Sequence, residues 1–372
     1  MTEQNDAITY AGAGVDVEAG DRAVELMKSA VKATHNESVF GGVGGFAGMI
    51  DASALLSFTK PLLATSTDGV GTKVAIAQAL DQHDTIGQDL VGMVVDDIAV
   101  VGAKPLLMTD YIACGKVVPE RIADIVRGIA EGCRLAETPL VGGETAEHPG
   151  LLAEDEYDVA GAATGVVEAS KVLGPERVAA GDVVIGMASS GLHSNGYSLV
   201  RRVVEHAGAK LGDHIDEFSR TLGEELLVPT RIYTADCLAL AEADAVHSLS
   251  HVTGGGLAAN LARVLPKGLT AVVDRSTWSI PPVFGWVQSA GRVPLADLER
   301  TLNLGVGMVA VVPAEAEQRA LALLAERGVP AWRMGEVAVS SSLTGAESAG
   351  DDYVQGAKGV DGGAVLMQGR YA

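Results

Sequence analysis

The stretch Leu62-Leu63-Ala64-Thr65-Ser66-Thr67-Asp68-Gly69-Val70-Gly71-Thr72-Lys73 decides the fold of the first half of the chain. Its first six residues predict a β-strand, and the glycine-rich turn after them leads directly into predicted helices at 74–80 and 86–102. A strand that turns into a helix favours anion binding, because the first N–H groups of a helix have no partner within it. The turn is not a Walker A loop, since the order Gly-Lys-Ser/Thr is absent. An ordinary strand-to-helix turn stays open as the alternative.

The alternation of strands and helices continues outward from this stretch. Further strands are predicted at 106–114, 140–141, 159–167, 183–188, 306–312 and 337–339, and further helices at 119–136, 197–204, 257–264 and 316–326. The 372 residues suit two domains. We therefore predict an α/β (α+β) protein with an N-terminal domain at 1–170 and a C-terminal domain at 171–340. The Ser-, Gly-, Ala- and Asp-rich remainder, 341–372, is expected to be a mobile tail.

Composition and charge narrow the classes of partner. Apolar residues make up 48% of the chain and charged residues 20%, as in folded globular proteins. The net charge of −21 argues against a nucleic acid or an anionic membrane as partner. No apolar run reaches the length of a membrane span, and Met1–Asp6 does not resemble a signal peptide. Three scattered cysteines predict neither disulfides nor a zinc site, and a cytoplasmic location is expected.

A glycine cluster occupies residues 41–48 and contains a formal match to the dinucleotide fingerprint G-x-G-x-x-A at 42–47. The fingerprint needs an apolar strand before it, whereas residues 34–38 are polar. The dinucleotide interpretation therefore fails. A flexible lid that lies close to phosphates and a plain flexible loop both remain, because glycine permits close backbone approach.

Acidic residues give the strongest chemical signal. On the helix at 86–102, counting along one face puts Asp97 on an apolar stripe with Leu90 and Val101, and Asp96 on a more polar side. A buried carboxylate is normally paired or bound to a metal. A salt bridge to a distant arginine is the alternative to a metal.

Two further acids follow predicted strands. Asp68 directly follows the strand predicted at 62–67, and Glu144 follows Gly142-Gly143 at the end of another predicted strand. Strand ends are where α/β proteins place their ligands. Asp68, Asp97 and Glu144 are therefore predicted to converge on Mg²⁺, which prefers oxygen ligands and often shares them with substrate phosphates.

The second half contains two comparable loops. Residues 189–196 and Thr253–Gly256 each join a strand to a helix and are candidate anion sites. His193 has a pKa range suited to proton transfer, although a hydrogen-bonded loop histidine is the commoner role. His247 and His251 are spaced four apart in a strand-like context, which separates them by roughly 13 Å and excludes a shared metal ion.

Together these stretches resemble the phosphoribosylformylglycinamidine cyclo-ligase family, also called aminoimidazole ribonucleotide synthetases. The resemblance covers nearly the whole chain to about residue 340. Besides the glycine cluster and the turn at 67–73, it is carried by the segments 10–16, 110–116, 142–147, 191–198, 229–233, 253–257, 280–284 and 303–308.

The resemblance implies an ATP-dependent ring closure in de novo purine biosynthesis. ATP is expected to phosphorylate the formyl oxygen of formylglycinamidine ribonucleotide, after which an amidine nitrogen attacks and phosphate leaves. The products are aminoimidazole ribonucleotide, ADP and phosphate. It also implies a homodimer in which the N-terminal domains pair through a β-barrel, with ATP bound near that interface.

The resemblance also implies roles for individual residues. Asp68, Asp97 and Glu144 correspond to the Mg²⁺–ATP ligands, and Asp97 and His193 are predicted to be catalytic. The implied ATP contacts are Lys28, Gly42, Gly44, Gly45, Asp68, Gly71, Thr72 and Lys73. The implied substrate contacts are Ser194, Asn195, Gly254, Gly255 and Gly256, the last three around the ribosyl phosphate.

The chain departs from the family pattern in two places, since it has Asp96-Asp97 where the family often has Asn-Asp, and its tail matches nothing in the family. Three kinds of superfamily relative are less consistent with it. Thiamine-phosphate kinases are usually shorter, selenophosphate synthetases need a cysteine earlier than Cys114, and hydrogenase maturation proteins end in a reactive cysteine. A non-catalytic nucleotide-binding module is the alternative from another class, and the three acids argue against it.

Overall fold

The computed structural model describes residues 13–42, 44–356 and 361–372, so Tyr10–Gly12 and Val43 lie outside the described residues. The helices are α1 Val17–Ala33, α2 Val74–Leu80, α3 Ile86–Ala99, α4 Pro119–Leu135, α5 Tyr197–Ala207, α6 Leu222–Leu226, α7 Thr234–Glu242, α8 Gly256–Arg263, α9 Pro282–Gly291, α10 Leu295–Thr301 and α11 Glu317–Glu326. The strands are β1 Val39–Phe40, β2 Met49–Ile50, β3 Pro61–Gly69, β4 Lys104–Cys114, β5 Leu140–Glu147, β6 Tyr157–Glu168, β7 Val183–Ala188, β8 His214–Ile215, β9 Arg220–Thr221, β10 Ser248–His251, β11 Leu269–Asp274, β12 Val306–Val312, β13 Ala331–Val339, β14 Tyr353–Gln355 and β15 Ala364–Gln368.

The first sheet has four strands in the order β3-β6-β4-β5, of which only β4 and β5 are parallel. Helix α3 packs on β3 and β6, and α4 packs on α3. Burial along β6 alternates, with Val159, Gly161 and Ala163 buried and Ala160 and Ala162 partly exposed. The opposite face is open, since Leu63 on β3 and Tyr111 on β4 remain exposed. One face of this sheet therefore lacks a cover within the described residues of the chain.

The second sheet has seven strands in the order β10-β12-β7-β13-β11-β15-β14. Strand β12 is buried along its whole length, as expected for a strand that is covered on both faces. One core cluster on this sheet includes Leu240 of α7 and Leu324 of α11, and another includes Leu261 of α8. The chain is thus a two-domain α/β protein, with one sheet half covered and the other enclosed. No helix within the described ranges is long and apolar enough to cross a membrane.

The prediction of a mobile tail is wrong. Strand β15 pairs in parallel with β11, and β14 pairs with β15. Residues 364–367 are buried in the second sheet, where Val365 is fully buried. A four-residue apolar run is long enough for a strand, but the surrounding Gly, Ser and Asp residues masked it in the sequence.

Other predicted elements agree closely with the structure. The strands at 183–188 and 306–312 and the helix at 74–80 have the predicted bounds. The helix expected at 86–102 ends at Ala99, and the short strand expected at 140–141 extends to Glu147.

Candidate active site

Two carboxylates lie close together where the first domain meets the second, a region that we call the cleft. Asp68 occupies the end of β3, and Asp97 lies on α3 with 45% of its side chain exposed. Partial burial raises the pKa of Asp68, the nearby Asp97 carboxylate adds to that rise, and the Gly69 N–H at 2.7 Å opposes it. Like charges held close together repel each other unless a cation lies between them. We call Asp68 and Asp97 the acid pair; a hard cation with oxygen ligands fits it.

The predicted orientation of the two adjacent aspartates is wrong. Asp96 is the fully buried one, and it accepts hydrogen bonds from Tyr233 N at 3.1 Å and Thr234 Oγ1 at 2.7 Å. Burial raises the pKa of Asp96 to about 6, and these hydrogen bonds oppose the rise. The second domain covers the side of α3 that was expected to be polar, so a count of apolar positions could not identify the exposed face.

One residue of the site, His251, was not predicted from the sequence. His251 ends β10, its Nδ1 lies 2.9 Å from Asp97 Oδ1, and only 2% of its side chain is exposed. Burial alone would lower the pKa of His251, but the hydrogen bond to Asp97 and the nearby Asp96 and Asp68 carboxylates raise it. Its Nε2 is buried without a hydrogen-bond partner. The available signal was its position directly before the Thr253–Gly256 loop.

The loop at 189–196 reaches the same cleft. Ser194 Oγ donates to the carbonyl of Val70 at 2.7 Å, which attaches the loop to the turn after Asp68. Asn195 Nδ2 lies 3.2 Å from Met93 Sδ, one helical turn before Asp97 on α3. A Cβ on Gly254 would lie 3.5 Å from Asn195 Oδ1, so the two loops meet there. The structure thus brings the predicted substrate contacts next to the acid pair.

The side chain of His193, in the same loop, is buried and does not face the cleft. The residue has a φ of +61°, and its Nε2 accepts a hydrogen bond from Ser190 N at 3.2 Å. Burial lowers the pKa of His193 well below its ordinary value, so the ring is neutral. The structure favours a loop-forming histidine over a proton-transfer group.

The predicted phosphate contact of Lys73 is wrong. Its side chain is fully buried, and its Nζ lies 2.8 Å from Asp89 Oδ2, 3.0 Å from the His193 carbonyl and 2.8 Å from the Val228 carbonyl. All three donors of the ammonium group are used. Burial lowers the pKa of Lys73 and raises that of Asp89, while their mutual attraction opposes both shifts. Lys73 joins the domains, whereas Thr72 beside it stays exposed.

A separate cavity of about 280 Å³ lies between α1, the glycine cluster and β5. Gly42, Gly44 and Gly45 line it, and Glu144 lines its β5 side. Its apolar wall includes Val24, Met27, Val31 and Val126. The predicted contact Lys28 is not among the lining residues; it lies 3.5 Å from Glu25 on the exposed side of α1.

Asp110 also lines this cavity. Burial raises its pKa to about 7. Its carboxylate lies over Gly143 on β5, where a side chain would have no room. Asp110 is therefore an acid in a cavity wall whose other residues are mostly apolar.

The three predicted metal ligands do not converge within one chain. Asp68 and Gly143 belong to one register row that crosses the sheet through Gly161 and Asp110. Three strand spacings therefore separate Asp68 on β3 from Gly143 on β5 by roughly 14 Å. Within the described ranges, no group of three or more His, Cys, Asp or Glu side chains is arranged to hold a metal ion. Glu144 therefore belongs to the cavity, and the acid pair to the cleft.

Two family models match the chain. The model of the AIR synthase related protein, N-terminal domain, matches residues 50–167, and that of the C-terminal domain matches residues 179–346. A phosphoribosylformylglycinamidine cyclo-ligase from Alkaliphilus oremlandii (strain OhILAs) is 49% identical, over 89% of this chain and 97% of its own length.

Solved structures show the same fold at low identity. A thiamine-monophosphate kinase from Stenotrophomonas maltophilia K279a is 18% identical with a TM-score of 0.65, covering 93% of this chain and 97% of its own. A hydrogenase maturation protein in complex with ATP is 19% identical with a TM-score of 0.57, covering 88% of this chain and 89% of its own. The fold is therefore shared with proteins of different activities.

Proposed function

The chain belongs to the phosphoribosylformylglycinamidine cyclo-ligase family, and we propose that it closes the imidazole ring of formylglycinamidine ribonucleotide with ATP and Mg²⁺ in the cytoplasm. The likeness to the cyclo-ligase covers 89% of the chain, which supports this activity over those of the more distant neighbours. The single structural observation that carries the proposal is the acid pair facing the loops of the second domain. An ATP-dependent enzyme needs such a site for its metal–phosphate group.

The reaction has two steps. The formyl oxygen of the substrate attacks the γ-phosphorus of ATP, so that a phosphorus–oxygen bond forms and ADP leaves. An amidine nitrogen then attacks the activated carbon, the carbon–oxygen bond breaks and inorganic phosphate departs. Loss of a proton from the new ring gives aminoimidazole ribonucleotide.

The acid pair fits a magnesium ion, which would neutralise phosphate charge during the first step. His251 fixes the orientation of Asp97 through the hydrogen bond between Nδ1 and Oδ1. Asn195 and the Gly254–Gly256 turn bind the substrate. The first turn of α8, which begins at Gly256, offers backbone N–H groups and the positive end of the helix dipole to the ribosyl phosphate.

The cavity under the glycine cluster binds the nucleoside end of ATP. It combines an apolar wall with glycine backbone that can approach a ligand closely. Glu144 contacts the nucleotide there rather than sharing a metal ion with Asp68 in the same chain.

The open face of the first sheet supports a homodimer. Ala162 lies at its middle, in register with Thr67 on β3 and Thr109 on β4. An uncovered sheet of this kind needs a partner, and a second copy can close it into a barrel. Light scattering should give twice the chain mass of 38.1 kDa. Ala162→Arg should give monomers, and Ala325→Arg on the exposed side of α11 should not; a monomeric wild type would exclude the dimer.

The activity is tested by measuring ADP release with ATP, Mg²⁺ and formylglycinamidine ribonucleotide. We expect ADP and aminoimidazole ribonucleotide in equal amounts, and no ADP when thiamine phosphate replaces the substrate. A protein that binds ATP without turning it over would instead be a nucleotide-binding module.

A further inference from the structure

An ionic network centred on a buried arginine fastens the C-terminal segment to the second domain. Arg275, only 5% exposed, donates from Nε and from a terminal nitrogen to Glu299, at 2.7 and 3.0 Å. The same terminal nitrogen donates to Asp352 Oδ1 at 2.6 Å, and the Tyr371 hydroxyl donates to Glu299 Oε1 at 2.6 Å. We call these four residues the clasp. Charge-assisted, bidentate contacts of this kind are the strong class of hydrogen bond.

The clasp holds helix α10 at a point that touches one substrate loop. Glu299 lies on α10, and its carbonyl group is so close to Gly256 that a side chain at position 256 would have no room. Gly255 and Gly256 have φ values of +110° and +75°, so they form a tight turn before α8. Any shift of α10 therefore displaces the Gly254–Gly256 turn.

The residues directly after this end of α10 contact the second substrate loop. Asn303, just after the helix, donates from Nδ2 to the Gly191 carbonyl at 2.9 Å and accepts from Ser189 Oγ at 3.1 Å. Leu302 packs against Gly196, which again leaves no room for a side chain there. The C-terminal end of α10 and the two residues after it thus contact both loops that face the acid pair.

Two clasp residues lie beyond the part of the chain that the family models match. The C-terminal model ends at residue 346, whereas Asp352 and Tyr371 come from the segment after it. Asp351 adds a second ion pair, to Arg300 on α10. The segment after 346 therefore makes contacts that the family pattern does not include.

We propose that the C-terminal segment is a positioning element, which holds both substrate loops in place through the clasp and α10. The proposal rests on the proposed function and assigns it an additional structural support. Arg275, Glu299, Asp352 and Tyr371 are positioning residues that do not themselves contact the substrate.

The test is the separate measurement of KM for each substrate in Glu299→Gln and Tyr371→Phe. Tyr371→Phe removes one hydrogen bond and keeps the ring, so it is the variant that should fold normally. We expect KM for formylglycinamidine ribonucleotide to rise about tenfold in Glu299→Gln and less in Tyr371→Phe, since hydrogen bonds to charged groups are worth this much. KM for ATP and kcat should stay within about twofold of the wild type.

A matched control is the exposed pair Lys267–Asp361, whose side chains are 2.9 Å apart. It also joins the C-terminal segment to the domain, but neither residue belongs to α10 or the clasp. Lys267→Met should leave both KM values unchanged. The proposal is overturned if this control raises the substrate KM as much as Glu299→Gln, or if folded Glu299→Gln has the wild-type KM.

Hydrogen exchange separates this proposal from the proposed function. Amides at 191–196 and 254–257 should exchange faster in Tyr371→Phe than in the wild type, whichever substrate the enzyme uses. Unchanged exchange at both loops would refute the clasp, whereas an inactive wild type with faster-exchanging variant loops would refute only the assigned reaction.

Discussion

Helix α3 carries two kinds of acid, and the contrast between them separates structural from chemical roles. Asp89 and Asp96 are fully buried and receive donors from the second domain. Asp97, next in sequence to Asp96, is 45% exposed, and its only side-chain hydrogen bond among the described residues is with His251. Buried acids with several donors hold the two domains together, while an exposed acid beside a second carboxylate is available to a ligand.

The contrast has an energetic basis. A buried charge that loses its partner is strongly destabilising, because its lost hydration is no longer offset. An exposed carboxylate loses little hydration, so its removal changes stability little. Substitution of a buried acid on α3 should therefore change stability, and substitution of the exposed acid should change activity.

The largest effect is expected for Asp97→Asn, which removes one of the two charges of the acid pair. Turnover of ATP should fall by at least about 100-fold, as when a charge stabiliser of the transition state is removed. The free energy of unfolding, from urea denaturation without metal, should change by less than about 1 kcal/mol. An active Asp97→Asn enzyme would contradict the assignment of the acid pair.

Asp96→Asn is the matched neighbour and should show the opposite pattern. Its amide has only one acceptor oxygen for Tyr233 N and Thr234 Oγ1, where the carboxylate has two. The free energy of unfolding should therefore fall by about 1–3 kcal/mol. Turnover should stay within a few-fold of the wild type at saturating substrate. Equal activity losses in the two variants would remove the distinction between them.

The next effect concerns the buried pair Lys73–Asp89. Lys73→Met leaves the Asp89 carboxylate buried and reduces its donors to Thr230, which should cost about 3–5 kcal/mol. Lys73→Met combined with Asp89→Leu should recover part of that loss, because no unpaired charge remains. Melting temperatures of both variants measure this. A single variant as stable as the wild type would show that the pair does not join the domains.

The smallest effect is expected for Asp110, a buried acid for which the described residues supply no cationic partner. Burial raises the pKa of Asp110 to about 7, so the folded state holds this proton more tightly than the unfolded state. Its contribution to stability is therefore present at low pH and is lost as the pH rises from about 4 to about 7. The stability of Asp110→Asn should not show this decrease as the pH rises.

Urea denaturation at pH 5 and pH 8 measures this dependence. The stability of Asp110→Asn relative to the wild type should be higher at pH 8 than at pH 5. Asp155→Asn, an exposed acid on the connection before β6, should show no such change. A pH-independent difference for Asp110→Asn would mean that the group is ionised throughout.

Much of the fold could be predicted because its pattern is local. The run Val183–Ala188 is a continuous apolar segment, and its strand has the predicted bounds. The predicted order of strand, turn and helix is present, with β3 extending to Gly69 and α2 beginning at Val74. Strand β15 was missed because only four apolar residues mark it within a polar, glycine-rich segment.

The site was harder to predict because it depends on how the domains meet. Periodicity identifies a buried face only when one side of a helix is exposed, and α3 is covered on almost every side. Lys73 was assigned to phosphate because nothing in its own segment shows that the second domain covers it. His251 was missed because its partner Asp97 lies 154 positions away in the chain.

The most direct test of the proposed ring closure follows the oxygen atom of the formyl group. Substrate labelled with ¹⁸O at that position is incubated with unlabelled ATP and the enzyme, and the inorganic phosphate is analysed by mass spectrometry. Because the formyl oxygen attacks the γ-phosphorus and leaves with it, each phosphate released should carry one ¹⁸O atom. Unlabelled phosphate, with the label released into water, would show that ATP does not activate the formyl oxygen.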